Sequence, residues 1–98
     1  GFVYPFRYTV IVEKSTSPTV EVLFSIPKRN HKRANKRNLL RRRTKEAYRL
    51  NKSSLWSVTT ERGVAVDMAL VYSSKEVLPY KTIENAVRRI LDEVVERC

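Results

Sequence analysis

The chain contains little cysteine, histidine or glycine: one Cys, one His and two Gly among 98 residues. Cys98 alone cannot form a disulfide framework, and Cys98 with His31 cannot supply the ligand set of a structural metal site. The scarcity of cysteine is typical of a reducing compartment, so we expect a cytoplasmic protein. No apolar run approaches the roughly 18 residues of a membrane span, so we expect no membrane partner.

Acidic residues are almost missing from one quarter of the chain. Residues 28–52 hold twelve Lys or Arg and one acid, Glu46, for a net charge of +11, whereas the rest of the chain nets −1. The imbalance is thus confined to one segment, which is the pattern of a localised surface for a polyanion.

The remaining pattern predicts a single domain, residues 1–98, of the α+β class. Two strands around a turn cluster read as a hairpin, and the order is strand, strand, helix, strand, helix. We predict strands at 3–13, 19–26 and 64–73 and helices at 33–51 and 79–97. Residues 52–63 are predicted to be irregular, with Gly63 as an end point. Because the helix at 33–51 connects two strands, a βαβ crossover is possible.

The helix at 33–51 carries charge on one side and apolar residues on another. Its basic ridge is formed by Arg37, Arg41, Lys45 and Arg49, with Asn38 and Arg42 beside it. Its narrower apolar stripe is formed by Leu39, Leu40, Ala47 and Leu50. We expect the stripe to pack on the sheet and the ridge to face outward.

Like charges four residues apart destabilise a helix, so a purely structural helix would alternate signs. A solvated charged face is the plain alternative, but a phosphate backbone would remove this repulsion, and arginine suits phosphate oxygens. Charge alone does not separate DNA from RNA. The absence of a second short helix, a heptad zipper and zinc ligands disfavours a DNA-binding regulator, and a helix held between two strands suits a structured RNA.

No catalytic set is visible. His31 lies in the basic loop and is predicted to be an RNA contact or a solvated residue rather than a general base. Asp67 is expected to face solvent or to pair with a basic residue.

Residues 24–29, FSIPKR, and residues 34–46, ANKRNLLRRRTKE, resemble the protein subunit of bacterial ribonuclease P. That family carries a motif close to Arg-Asn-Arg, an apolar residue, Lys-Arg, two variable residues and Arg-Glu. Arg37 and Asn38 match its first positions, and Lys45 with Glu46 matches its last. Leu39 replaces the second arginine, and Arg43 could take over that phosphate contact. The family also has a basic N-terminal helix, which we expect to be absent from this domain.

The resemblance implies a small α-β sandwich with a mixed sheet and a left-handed βαβ crossover. It implies a heterodimer of this protein with the catalytic ribonuclease P RNA, acting as an endoribonuclease on precursor tRNA. Catalysis would belong to the RNA, with no catalytic residue, metal or cofactor on the protein and with Mg²⁺ used by the holoenzyme.

The resemblance also implies two sets of site residues. Those expected to bind RNA are Lys28, Arg29, Lys32, Arg33, Lys36, Arg37, Asn38, Arg41, Arg42, Arg43, Lys45 and Arg49. A cleft between the basic helix and the sheet would take the single-stranded 5′ leader. Its candidates are Phe6 and Tyr8, which could equally be core residues, or their opposite-parity neighbours Arg7 and Thr9, with Lys28 near the rim.

The expected function is therefore that of the protein subunit of ribonuclease P, which assists maturation of tRNA 5′ ends. The alternative is a non-catalytic, ribosomal-type or structural RNA-binding protein, which would bind tRNA without regard to a 5′ leader.

Overall fold

The polypeptide forms four strands and three helices in a computed structural model that describes all 98 residues. The elements are β1 (Phe2–Val3), β2 (Phe6–Lys14), β3 (Thr19–Ser25), α1 (Ala34–Asn51), α2 (Ser53–Arg62), β4 (Val64–Tyr72) and α3 (Tyr80–Arg97). The predicted α+β class is confirmed, with a short first strand and a helix, α2, beyond the predicted elements. None of the helices combines the length and the apolar character needed to cross a membrane.

The most apolar strand, β4, lies inside the sheet rather than at its edge. The strand order is β1-β2-β4-β3, with β4 antiparallel to β2 and parallel to β3. The predicted hairpin of the second and third strands is therefore wrong, because β4 separates them. Asp67 is the only charged residue of β4, so this strand is apolar enough to be buried. Its interior position lets it form hydrogen bonds with a strand on each side.

The parallel pairing of β3 with β4 makes the connection between them a crossover, which contains α1 and α2. The βαβ arrangement that the sequence left open is thus present. The left hand of this crossover stays a prediction.

The core lies between one face of the sheet and α3. Inward-facing Phe6 and Tyr72 are fully buried, with ring centroids 5.6 Å apart in an edge-to-face contact. The inner face of α3 carries Ile83, Val87, Ile90 and Val94, all fully buried. Tyr8 donates its hydroxyl to Glu93 of α3, and this hydrogen bond is the main cause that raises the pKa of Tyr8.

Helix α1 packs mainly against α3. The predicted stripe is half right: Leu40 and Ala47 are fully buried, but Leu50 is 54% exposed. Thr44 takes the missing place, because it lies one turn from Leu40 and satisfies its hydroxyl by donating to the Leu40 carbonyl at 2.8 Å. The buried stripe is thus narrower and more polar than the apolar residues alone predicted.

Residues 53–62 form a helix, so the prediction of an irregular segment is wrong. Leu55 and Thr59 are buried one turn apart, a pattern with too few apolar residues to stand out in the sequence. Gly63 ends the helix in the left-handed conformation (φ 64°, ψ 51°), and its N–H donates to the Thr59 carbonyl. The expected end point at Gly63 is confirmed.

The second face of the sheet is uncovered. Ile11 and Leu23 are 57% and 65% exposed there, beside the exposed side chains of Thr9 and Asp67. The expected exposure of Asp67 is confirmed.

Candidate nucleic-acid interface

The outward side of α1 is basic over its whole length. Asn38, Arg42, Lys45 and Arg49 are exposed, whereas Arg37 and Arg41 are half-buried along the edge of this surface. We call the outward side chains of α1, together with the lysines and arginines from Lys28 to Lys36, the basic face. The molecule holds two ion pairs in all, and one of them, Glu46 with Arg49, lies on this face.

The positive charge of the ridge is partly neutralised at its C-terminal end by Glu46. Glu46 lies one turn before Arg49, whose Nε donates to Glu46 Oε2 at 3.2 Å and whose Nη2 donates to Oε1. These hydrogen bonds lower the pKa of Glu46 and raise that of Arg49. Arg49 thus has an acidic partner at the end of the ridge, whereas Arg37, Arg41 and Lys45 have none.

Arg37 links the start of α1 to the basic loop. Its Nη1 donates to the carbonyls of His31 at 2.8 Å and Lys32 at 2.9 Å. Arg41 Nη1 instead donates to Asn38 Oδ1 at 3.3 Å, so these two side chains hold each other at the surface. The guanidinium of Arg37 thus has a structural task besides its charge.

Arg43 points away from the basic face. It is half-buried, and its Nη1 donates to the carbonyl of Leu78 in the segment before α3. Arg43 therefore fastens α1 to its neighbour and is poorly placed for the phosphate contact that Leu39 leaves open.

The loop before α1 extends the basic face. Its four lysines and arginines, Lys28, Arg29, Lys32 and Arg33, are exposed, and so is Lys36 in the first turn of α1. His31 is the exception, since it is 5% exposed: the prediction of a solvated residue is wrong, and an RNA contact of His31 stays a prediction. Its Nε2 lies 2.7 Å from the Ser74 carbonyl and its ring meets Tyr72 edge-on at 5.5 Å, so His31 fixes the basic loop to the end of β4.

The leader candidates separate by strand parity. Phe6 and Tyr8 are 0% and 4% exposed, so both belong to the core, whereas Arg7 and Thr9 are exposed on the uncovered face. No pocket is lined by residues of both α1 and the sheet, and Tyr48 of α1 packs edge-on against Phe24 of β3 there, with ring centroids 5.8 Å apart.

A depression does exist on the uncovered face, at the end of β4. It holds about 300 Å³ and is lined by Arg7, Pro27, Arg29, Asn30, Val71, Tyr72 and Ser73. Phe2 pairs directly with Arg7 across β1 and β2, so the two side chains share a face, and Phe2 is 57% exposed. Lys28 is exposed but does not line this depression. Two guanidinium groups thus line this cavity, and the exposed Phe2 ring lies beside one of them, Arg7, on the same face of the sheet.

Sequence reasoning missed two residues of this region. Ser74, whose carbonyl holds His31, is 43 positions away in the chain, and no local signal marks the pair. Phe2 belongs to the short strand β1, which Tyr4 and Pro5 separate from β2, and two residues are too few to give a strand pattern in the sequence. The chain brings no three His, Cys, Asp or Glu side chains together in a way that could hold a metal ion.

Comparisons with known proteins agree on one family. A family model described as Ribonuclease P matches residues 3–95. Proteins named "Ribonuclease P protein component" from two strains of Porphyromonas gingivalis are 34% and 36% identical to the chain, and one from Chlorobium phaeobacteroides is 30% identical. Each match covers 91% of this chain and 66% of the relative, so the chain spans just under two thirds of the length of these relatives. No solved structure matches significantly.

Proposed function

The chain belongs to the ribonuclease P protein family, and from this premise we propose that it is the protein subunit of a ribonuclease P. It binds the catalytic RNA through the basic face and assists cleavage of precursor tRNA at the 5′ end of the mature sequence. The observation that carries the proposal is the basic face itself, on which Arg49 alone has an acidic partner. An RNA backbone supplies the counter-charge that the protein lacks.

The residues of the basic face fall into two groups, those that contact phosphates and those that contact a sugar or a base. Arg42 and Lys45 are exposed and have no protein partner, so they are free to neutralise phosphates. Arg41 and Asn38 hold each other and present an amide and a guanidinium together, an arrangement suited to a sugar hydroxyl or a base edge.

The leader of precursor tRNA fits the depression beside Arg7. Arg7 and Arg29 offer two phosphate contacts, and the exposed ring of Phe2 offers a stacking surface for an unpaired base. This assignment keeps the predicted residue Arg7, and Thr9 lies next along the same face. Phe2 takes the stacking role expected of Phe6 or Tyr8, because both of those rings are buried in the core. Catalysis belongs to the RNA in this proposal, and the Mg²⁺ of the holoenzyme is likewise assigned to the RNA.

Processing of precursor tRNA at low Mg²⁺ tests the proposal. The ribonuclease P RNA from the same genome is assayed with and without the full-length protein, and we expect the protein to raise the rate and to lower the Mg²⁺ requirement. No change in either quantity would count against a role in the holoenzyme.

Leader dependence separates this function from a structural RNA-binding role. In the presence of the catalytic RNA, we expect tighter binding of precursor tRNA than of mature tRNA, and Arg7→Ala should reduce this preference. Lys14→Ala is the matched control, because Lys14 is exposed at the other end of the same strand. Equal binding of both tRNAs would favour the ribosomal-type or structural alternative.

A further inference from the structure

Trp56 is a large exposed aromatic residue with a fixed orientation. It lies in α2, is 47% exposed, and donates its indole N–H to the Tyr48 hydroxyl of α1 at 2.9 Å. Tyr48 is in turn held against Phe24 of β3. An exposed ring that is hydrogen-bonded to a half-buried tyrosine has less rotational freedom than a free one before any ligand arrives, which lowers the entropic cost of stacking on it.

A cation and a groove adjoin this ring. Lys52 places its Nζ 4.2 Å from the centre of the Trp56 ring, a cation–π distance. Trp56 also lines a groove of about 150 Å³ with Pro18, Thr19, Val20, Thr59 and Thr60. Lys52 does not line this groove, so the ammonium leaves the groove side of the ring open.

The hydroxyl groups in the groove differ in their availability. Thr59 donates to the Trp56 carbonyl at 2.8 Å and is buried. Thr60 is exposed, and its hydroxyl has no hydrogen-bond partner within the protein, so the hydroxyl can bond the edge of a base.

The position of Trp56 connects it to the basic face. Its hydrogen-bond partner Tyr48 lies one turn from Lys45 and one turn from Lys52 along the chain, and Arg49 follows Tyr48 directly. A strand of RNA that follows the basic face past Lys45 therefore reaches Lys52 and the indole next.

We propose that Trp56 and Lys52 form a stacking platform for an unpaired base of bound RNA, at the C-terminal end of the basic face. The base stacks on the indole in the groove, Lys52 neutralises an adjacent phosphate, and Thr60 contacts the base edge. Aromatic stacking of this kind tolerates any base and requires a single strand. The inference rests on the proposed RNA binding and adds a second single-strand site, distant in the sequence from the depression at Arg7.

Intrinsic fluorescence tests the platform directly, because Trp56 is the only tryptophan of the chain. The full chain is titrated with a short oligoadenylate and, separately, with an RNA duplex of the same length, both end-labelled so that anisotropy reports binding. We expect the single strand to quench the Trp56 emission as it binds. The duplex should bind the basic face with little quenching, because its bases are already stacked. Unchanged emission while anisotropy shows the single strand bound would overturn the proposal.

Substitutions give an independent readout. Trp56→Leu should weaken oligoadenylate binding about 5- to 150-fold, which corresponds to the loss of one stacked base, and Trp56→Phe should keep most of the affinity. Both variants should bind the duplex as the wild type does. A Trp56→Leu variant with wild-type affinity for the single strand would mean that the contacts to Tyr48 and Lys52 serve the fold alone. If the wild-type protein does not bind the duplex, the proposed RNA binding by the basic face is contradicted instead. Failure of the stacking platform and failure of the proposed RNA binding therefore give different results.

Discussion

Arg37 and Arg42 carry the same charge on the same helix but differ in what their guanidinium groups contact. Arg37 bonds the carbonyls of His31 and Lys32, whereas Arg42 is exposed and has no protein partner. Hydrogen bonds from a charged donor contribute more to stability than neutral ones, and their removal leaves two carbonyls without this partner. The proposed RNA contact of Arg42 is thus separable from the contacts by which Arg37 holds the loop.

Arg37→Ala should therefore lower the free energy of unfolding by about 1–3 kcal/mol and also weaken RNA binding. Arg42→Ala should weaken RNA binding while it changes stability by no more than about 0.5 kcal/mol. Urea denaturation gives the first quantity, and RNA titration at several salt concentrations gives the second. Equal stability of the two variants would mean that the Arg37 hydrogen bonds make no net contribution.

Single residues also show where sequence reasoning reaches its limit. Alternation along the second strand predicts that Phe6 and Tyr8 share one face and Arg7 and Thr9 the other, and this is observed. It does not say which face the helices cover, because that depends on elements distant in the chain. His31 fails for the same reason, since its burial depends on Ser74 and Tyr72, which a different strand supplies.

Among the elements, the helices were easier to predict than the pairing of the strands. The strong period of α3 and the basic run of α1 are local signals, and both helices were predicted to within one residue. Strand pairing depends on residues distant in the chain. The predicted hairpin of β2 with β3 does not form, because β4, whose inner face is buried from Val64 to Tyr72, lies between them. The short helix α2 lacked a signal because only Leu55 and Thr59 of its ten residues are buried.

The junction between α2 and β4 depends on Gly63. Its φ of +64° lies in the left-handed region, yet a Cβ there would meet nothing closer than the Ser15 carbonyl oxygen at 3.6 Å. Gly63→Ala should thus destabilise the fold through backbone strain rather than through a clash, by about 1–2 kcal/mol. Gly63→Asn should cost less, because asparagine tolerates this conformation better. Thermal or urea unfolding measures both, with RNA affinity as the control expected to stay unchanged; an alanine variant as stable as the wild type would contradict the assigned conformation.

On the scale of the whole molecule, charge is divided between two regions with different tasks. The net charge is +10, and residues 28–52 account for all of it, while the rest of the chain, including the core-forming α3 and β4, is nearly balanced. The folded state brings this charge together on the basic face, where Arg49 is the one residue with an acidic partner. The proposal that bound RNA relieves the repulsion among these charges therefore predicts that salt acts on the stability of the fold and on RNA affinity in opposite directions.

Raising the salt concentration should increase the free energy of unfolding, because screening weakens repulsion on the basic face. The same change should weaken RNA binding, with a slope of about −0.7 to −0.9 in log affinity per log salt for each phosphate contact. The double variant Arg42→Gln/Lys45→Gln should flatten both dependences. Its control, Arg88→Gln/Arg89→Gln, removes the same charge from exposed positions of α3 and should leave both near the wild type. If the two double variants behave alike, net charge rather than its placement on α1 governs RNA binding; if salt destabilises the free protein, the basic face carries no net repulsion for RNA to relieve.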